Sequence, residues 1–234
     1  MNTILYKASD RGAADYGWLK AKYSFSFSSY HNPSNVHFGA LRVLNNDIVA
    51  GGGGFPAHPH DNMEIITIPI EGALQHKDSS GGNGIIQKND VQIMNAGTGV
   101  EHSEFNASKT EQVELFQIWI FPKEKNIKPR YDQKTFDPAA RQNKLQLVVA
   151  PDNDEALWIN QDAWLSLGNL NKGISLNYKL HNNNSGVYAF VIEGSVTING
   201  QPLGKRDALG IKDAADFDIT ANENAEILLI EIPV

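Results

Sequence analysis

Short apolar runs, each bounded by glycine, asparagine, aspartate or proline, recur every 8–15 residues along the chain. "YSFSF", "GALRVL", "MEIITIPI", "VQIMNA", "VELFQIWIF", "KLQLVVA", "GISLNYKL", "YAFVIEG" and "EILLIEI" are examples. Runs of this length, rich in Ile, Val, Leu and aromatics and punctuated by turn formers, read as strands. No stretch keeps a 3.6-residue apolar period with caps for more than about two turns, so helices are not expected to carry the fold. The pattern predicts an all-β protein of barrel or sandwich type.

A weak internal repeat refines this. "ITIPIEGAL" at 66–74 and "AFVIEGSVTING" at 189–200 both run from an apolar strand through a Glu-Gly turn into a second strand. "KNDV" (88–91) follows the first copy and "KRDAL" (205–209) the second. Two copies of one β unit are the economical explanation. They would be joined through the Pro- and Lys-rich stretch 121–138, giving expected domains 1–130 and 131–234.

Charge and composition exclude several classes. A net charge of -7 and the lack of a Lys/Arg block argue against a nucleic-acid partner. Cysteine is absent, so disulfides and thiolate ligands are excluded, and any metal must be held by imidazole and carboxylate. The first residues lack the basic and apolar regions of a secretory signal, and no apolar run approaches the ~20 residues that span a bilayer. A cytoplasmic monomer without a membrane partner is expected, and the sequons at Asn106 and Asn183 are taken as chance. "GGGG" at 51–54 has no following GK[ST], so it is a flexible lead into a strand near His58 rather than a phosphate loop. "DSSGGNG" at 78–84 reads as a hairpin loop.

Candidate chemistry gathers in two pairs. Residues i and i+2 of a strand share a face, about 6.6 Å apart, so His58 and His60 point the same way. "GTGVEHSEFN" places His102 and Glu104 in the same relation, beyond glycines 97 and 99 that let the backbone bend. Two such strands can converge inside a small barrel around one ion. Three imidazoles and a carboxylate suit Fe, Mn, Ni, Cu or Zn. Spacing leaves Glu64, four residues past His60, as an alternative carboxylate. His31, His37, His76 and His181 are read as ordinary surface, loop or hydrogen-bonded core histidines, and Trp119, Trp158 and Trp164 as core. Phe55, Met63 and Ile66 are candidates for the cavity mouth.

These words resemble a known family. "GGFPAHPHDNMEIITIPIEG" is similar to the first cupin motif, with Gly52, His58-x-His60, Glu64 and a closing Gly72; "GTGVEHSEFN" is similar to the second, with Gly99, His102 and Asn106. More narrowly, Ser24 to Asn106 resembles the pirin family of bicupins, through "ALRV", "MEI", "EGALQHKDS" and "AGTG" around the two pairs. The resemblance implies two cupin (double-stranded β-helix, jelly-roll) barrels, the second of them degenerate. That second half has only His181 upstream of "VIEG" and no histidine in "DAADFDITANENAE", so no metal is expected there.

What the resemblance implies about chemistry is specific. General cupins take their carboxylate from the position of Glu64, whereas pirins take it two residues past the third histidine. The implied ligands are therefore His58, His60, His102 and Glu104, with Glu104 also the catalytic base. The implied cofactor is one divalent transition metal, Fe(II) first, with Mn, Ni, Cu, Co or Zn as alternatives. The implied activity is that of a quercetin 2,3-dioxygenase, in which O2 opens the central ring of a flavonol and carbon monoxide leaves. A metal-binding regulatory or protein-interaction role without catalysis is the alternative.

Overall fold

The computed structural model describes all residues, Met1–Val234. Regular structure is almost entirely extended: 22 strands, with two short 3-10 turns at Ala8–Asp10 and Pro138–Arg141. No helix is long and apolar enough to cross a membrane.

Contacts divide the chain into two compact units, and the division departs from a cut after residue 130. One unit holds Gly12–Phe136 with Ile159–Gln161; the other holds Met1–Arg11, Asp137–Trp158 and Asp162–Val234. Backbone pairing explains the departure. Strand β1 (Asn2–Tyr6) runs antiparallel to Ala208–Lys212, with Asn2 opposite Lys212 and Tyr6 opposite Ala208.

The Gly12–Phe136 unit contains β2 (Gly12–Asp15), β3 (Leu19–Tyr23), β4 (Leu41–Val49), β5 (Gly54–His60), β6 (Glu64–Glu71) and β7 (Ala73–Asp78). It continues through β8 (Asn83–Gln87), β9 (Asp90–Asn95), β10 (Val100–Asn106), β11 (Val113–Ile120) and β12 (Arg130–Thr135). They make a seven-stranded sheet, β12-β9-β6-β11-β4-β3-β2, and a four-stranded sheet, β5-β10-β7-β8.

The other unit has the same plan. Its later strands are β13 (Leu145–Ala150), β14 (Leu157–Trp158), β15 (Trp164–Leu170), β16 (Ser175–Lys179) and β17 (Ser185–Glu193). β18 (Val196–Ile198), β19 (Gln201–Leu203), β20 (Ala208–Lys212), β21 (Asp216–Ala221) and β22 (Ala225–Pro233) complete it. Again there is a seven-stranded sheet, β1-β20-β17-β22-β15-β13-β14, and a four-stranded one, β16-β21-β18-β19. Each unit is thus a double-sheet jelly roll, the cupin layout.

The repeat read from the sequence is visible in backbone detail. Gly72 ends β6 with φ 75° and Gly194 ends β17 with φ 74°. A Cβ at Gly72 would press on the Gln112 carbonyl, and one at Gly194 on the Asn224 carbonyl. Only glycine fits both the positive φ and the close approach. Likewise the Asp90 carboxylate accepts the Gln87 N–H, and the Asp207 carboxylate accepts the Gly204 N–H, both at 2.9 Å. The same side chain closes the same turn in both halves.

Two expectations about bulky residues change. Trp164 is buried, but Trp158 is 38% exposed and Trp119 is only half-buried. Strand β14, which Trp158 ends, has two residues and lies at the edge of its sheet.

Candidate metal centre

The four-stranded sheet β5-β10-β7-β8 supplies the polar cluster. Along β10, Val100, His102, Glu104 and Asn106 are buried, while the residues between them are half-buried or exposed. That alternation turns His102 and Glu104 inward together. β5 starts at Gly54, four residues before His58, so the glycine run enters the strand earlier than expected. Its pairing with β10 puts His58 opposite His102 and Phe55 opposite Glu104. Three steps on β5 therefore match two on β10, a β-bulge at Pro56 and Ala57.

Three imidazoles meet beneath the bulge. Ring centroids lie 4.4 Å apart for His58 and His102, 4.9 Å for His58 and His60, and 4.8 Å for His60 and His102. His58 Nε2 is 3.0 Å from His102 Nε2. Two nitrogens each ~2.1 Å from an ion at a right angle would be separated by about the same distance. His58 Nδ1–H donates to the Pro56 carbonyl at 2.8 Å, which leaves the Nε2 lone pair facing its neighbours. His60 Nε2 is buried with no hydrogen-bond partner. Donor set and orphaned nitrogen both fit a divalent transition metal.

Electrostatics agree. Burial, with the neighbouring imidazoles, holds His60 down to about 4 and His102 down to about 3, so both rings are neutral and available as ligands. Glu104 is buried, and that burial raises its pKa, opposed by the nearby His76 and by hydrogen bonds. Gln117 Nε2 donates to both Glu104 oxygens, at 3.3 and 3.1 Å, and Thr67 Oγ1 reaches Oε1 at 3.4 Å.

Glu64 lies elsewhere. A turn at Asp61–Met63, with Asn62 at φ 45°, separates it from His60, so counting four residues along one strand does not apply. Thr67 of β6 faces Glu104, and Glu64, three residues earlier, faces the other side of the sheet. There its carboxylate accepts from Asn95 Nδ2 and from the Asn160 N–H.

A cavity of about 220 Å³ opens onto the cluster. Its walls are largely aromatic, from Tyr23, Phe27, Phe55 and Trp119, and it reaches His58, His60 and Glu104. Asn45, Asp47 and Gln117 give its polar side. Phe55 is at the wall as expected, whereas Met63 packs beside Ile65 and Met94, and Ile66 is fully buried outside the lining.

Comparison with known proteins gives the chain a family. Residues 6–120 match the Pirin family, and residues 147–232 match the quercetinase C-terminal cupin domain. The chain is 43% identical over 230 residues to a quercetin 2,3-dioxygenase of Escherichia coli K12, covering 98% of each protein. It belongs to the pirin family. A pirin-like protein of Caulobacter vibrioides is also 43% identical, over 94% of this chain and 95% of that one. The crystal structure of the bacterial pirin YhhW from Escherichia coli in complex with nickel(II) superposes with TM-score 0.93 at 40% identity, covering 99% of both chains.

Sequence reasoning missed part of this pirin's centre. His76, set aside as ordinary, is buried; its Nε2–H donates to Asp78 at 2.9 Å, and its ring lies 5.2 Å from that of His102. Donor atoms of His76, His102 and Glu104 lie within 4.8 Å of one another. The signal was present as a third i, i+2 pair, His76 and Asp78, in "ALQHKD". Trp119, assigned to the core, stands edge-on to His60 with centroids 4.9 Å apart. Thr67 and Gln117 carried no signal, because each is a lone neutral polar residue between apolar neighbours.

Proposed function

We propose that this pirin is a metal-dependent dioxygenase of the quercetin 2,3-dioxygenase type, acting on a flavonol and O2. The ion would be held by His58, His60, His102 and Glu104, with Fe(II) first among the candidates. One observation carries the reading: an aromatic cavity opens onto two of the imidazoles and the carboxylate. A metal that only held the fold together would have no need of such an approach. Relatives named quercetin 2,3-dioxygenase support it.

When bound, the ion supplies Lewis-acid polarisation of a substrate hydroxyl and a meeting place for substrate and O2. The chain's own residues do the rest. Tyr23, Phe27, Phe55 and Trp119 bind the flat rings and exclude water. The cavity is smaller than the about 300–1,000 Å³ of sites that enclose drug-sized ligands, so one end of a three-ring flavonol would protrude at the mouth. Glu104 takes the proton of the hydroxyl that approaches the ion. Gln117 and Thr67 hold the carboxylate in place for that transfer.

Metal analysis of the purified protein, with O2 uptake on a panel of flavonols, tests the reading. Uptake with matched release of carbon monoxide is expected. Absence of turnover with Fe, Mn, Ni, Cu and Co each reconstituted would overturn it in favour of a regulatory role.

A further inference from the structure

His102 turns Nε2 towards His58, and its other ring nitrogen is buried without a partner. His58 settles its outer nitrogen on the Pro56 carbonyl. His102 Nδ1 is buried and without a partner, and so is Nδ1 of the neighbouring His76. Two orphaned ring nitrogens on adjoining strands call for an explanation.

Hydrogen positions can be assigned from the groups around them. The Asp78 Oδ1 accepts from the N–H of Ser80 (2.8 Å), the Ser80 hydroxyl (2.6 Å) and the N–H of Gly82 (3.0 Å). Its Oδ2 is left to accept from His76 Nε2 at 2.9 Å. His76 therefore carries its proton on Nε2 and shows a lone pair at Nδ1. His102 is the reverse case: with Nε2 given to an ion, its proton sits on Nδ1. One orphan is an acceptor and the other a donor.

We propose that Asp78 and His76 form a positioning relay for the metal, in which His76 Nδ1 accepts the N–H of His102 Nδ1 once an ion fixes that ring. This rests on the metal reading given above. Ligating histidines almost always give their other N–H to such a partner, and the partner sets tautomer and orientation. The support around His76 suits the task. Tyr131 stacks on its ring at 4.8 Å and 28°, and Tyr131 OH is tied to Gln133 at 2.8 Å. At Gly82 a Cβ would fall on Asp78 Oδ2 and the Tyr131 ring, so glycine is needed for the loop to close over this pair. The "DSSGGNG" loop thus serves the buried side of the centre.

Asp78→Asn separates the relay from mere packing. The amide is isosteric and its oxygen can keep the Ser80 and Gly82 bonds, but its NH2 now faces His76 Nε2. His76 must then carry its proton on Nδ1, donor against donor with His102. Ni(II) affinity, read by competition with a chromophoric chelator, should fall about 10–100-fold in Asp78→Asn and in His76→Leu. His76→Gln, which offers both an acceptor and a donor, should stay within about threefold of wild type. Nitrogen-15 NMR of the Zn(II)-loaded wild type should show His76 protonated at Nε2 and His102 at Nδ1. Should His76→Leu fail to fold, Asp78→Asn and the NMR spectrum decide. Wild-type affinity in Asp78→Asn with an unchanged melting temperature, or a His76 proton on Nδ1, overturns the relay while leaving the metal site intact. Wild type that binds neither ion overturns the metal reading and the relay with it.

Discussion

The carboxylate of Glu64 accepts the N–H of Asn160 at 3.3 Å, 96 residues along the chain and on the face of β6 opposite Thr67. Burial raises Glu64 to about 7 from 4.5. A carboxyl raised on folding contributes stability that is full below the unfolded value and lost as pH climbs through the folded one. Stability from this group should therefore fall between about pH 4.5 and 7. Glu64→Gln imitates the protonated acid and should remove that fall, gaining on the order of 2–3 kcal/mol at pH 8. Bound metal per chain should not change. Melting temperature against pH, with metal analysis, checks both; lost metal would make Glu64 a ligand after all.

Neutral buried imidazoles act in the opposite direction. His60 and His102 are lowered from 6.5 to about 4 and about 3, so the unfolded chain binds more protons than the folded one across that interval. Metal-stripped protein should lose stability as pH falls from about 6.5 towards 4. His60→Asn should flatten this acid limb, whereas Glu64→Gln, which removes the opposing contribution between about pH 4.5 and 7, should steepen it. Thermal denaturation in matched buffers from pH 4 to 8 separates the two slopes.

His58→Ala combined with His60→Ala removes two of the four proposed donors. Metal content after dialysis should drop from about one ion per chain to a trace, with the β-sheet circular dichroism retained. Content that stayed near one would mean the ion sits with His76, His102 and Glu104 instead.

Glu104→Gln should lower flavonol turnover about 10²–10⁴-fold, the usual worth of a positioned general base. The loss should persist when excess ion restores loading. Steady-state O2 uptake at saturating metal is the measurement, and a larger loss in Glu64→Gln would reverse the assignment.

Much of the centre was legible because strand periodicity is simple. His58-x-His60 and His102-x-Glu104 share faces by counting, and the structure brings all three imidazoles within 5 Å of each other by ring centroid. Both Glu-Gly turns announce their positive φ through glycine. Counting failed where a turn intervened, as at Asp61–Met63, which sends Glu64 to the other face. It failed again for Trp119, since an aromatic on a strand looks the same whether it meets core or cavity. His76 was legible in principle as a third i, i+2 pair, but its Asp78 carboxylate is taken up by His76 itself and by Ser80 and Gly82. The pairing of β1 with β20 could not be read, because nothing in "NTILY" names a partner two hundred residues away.

That pairing sets an order of events during synthesis. At about 5–20 residues per second, Asn2–Tyr6 emerges roughly 10–40 s before Ala208–Lys212 exists to receive it. Gly12–Phe136 can fold in that interval, whereas the sheet β1-β20-β17-β22-β15-β13-β14 lacks β20 and β22, and β1 lacks its partner, until the chain is nearly complete. The waiting strand is also the cover for the outer edge of β20, an edge that would otherwise be open to another chain. A bulky fusion at the amino terminus would hinder the last step of assembly and leave that edge adhesive, although it lies in the unit without the histidine cluster.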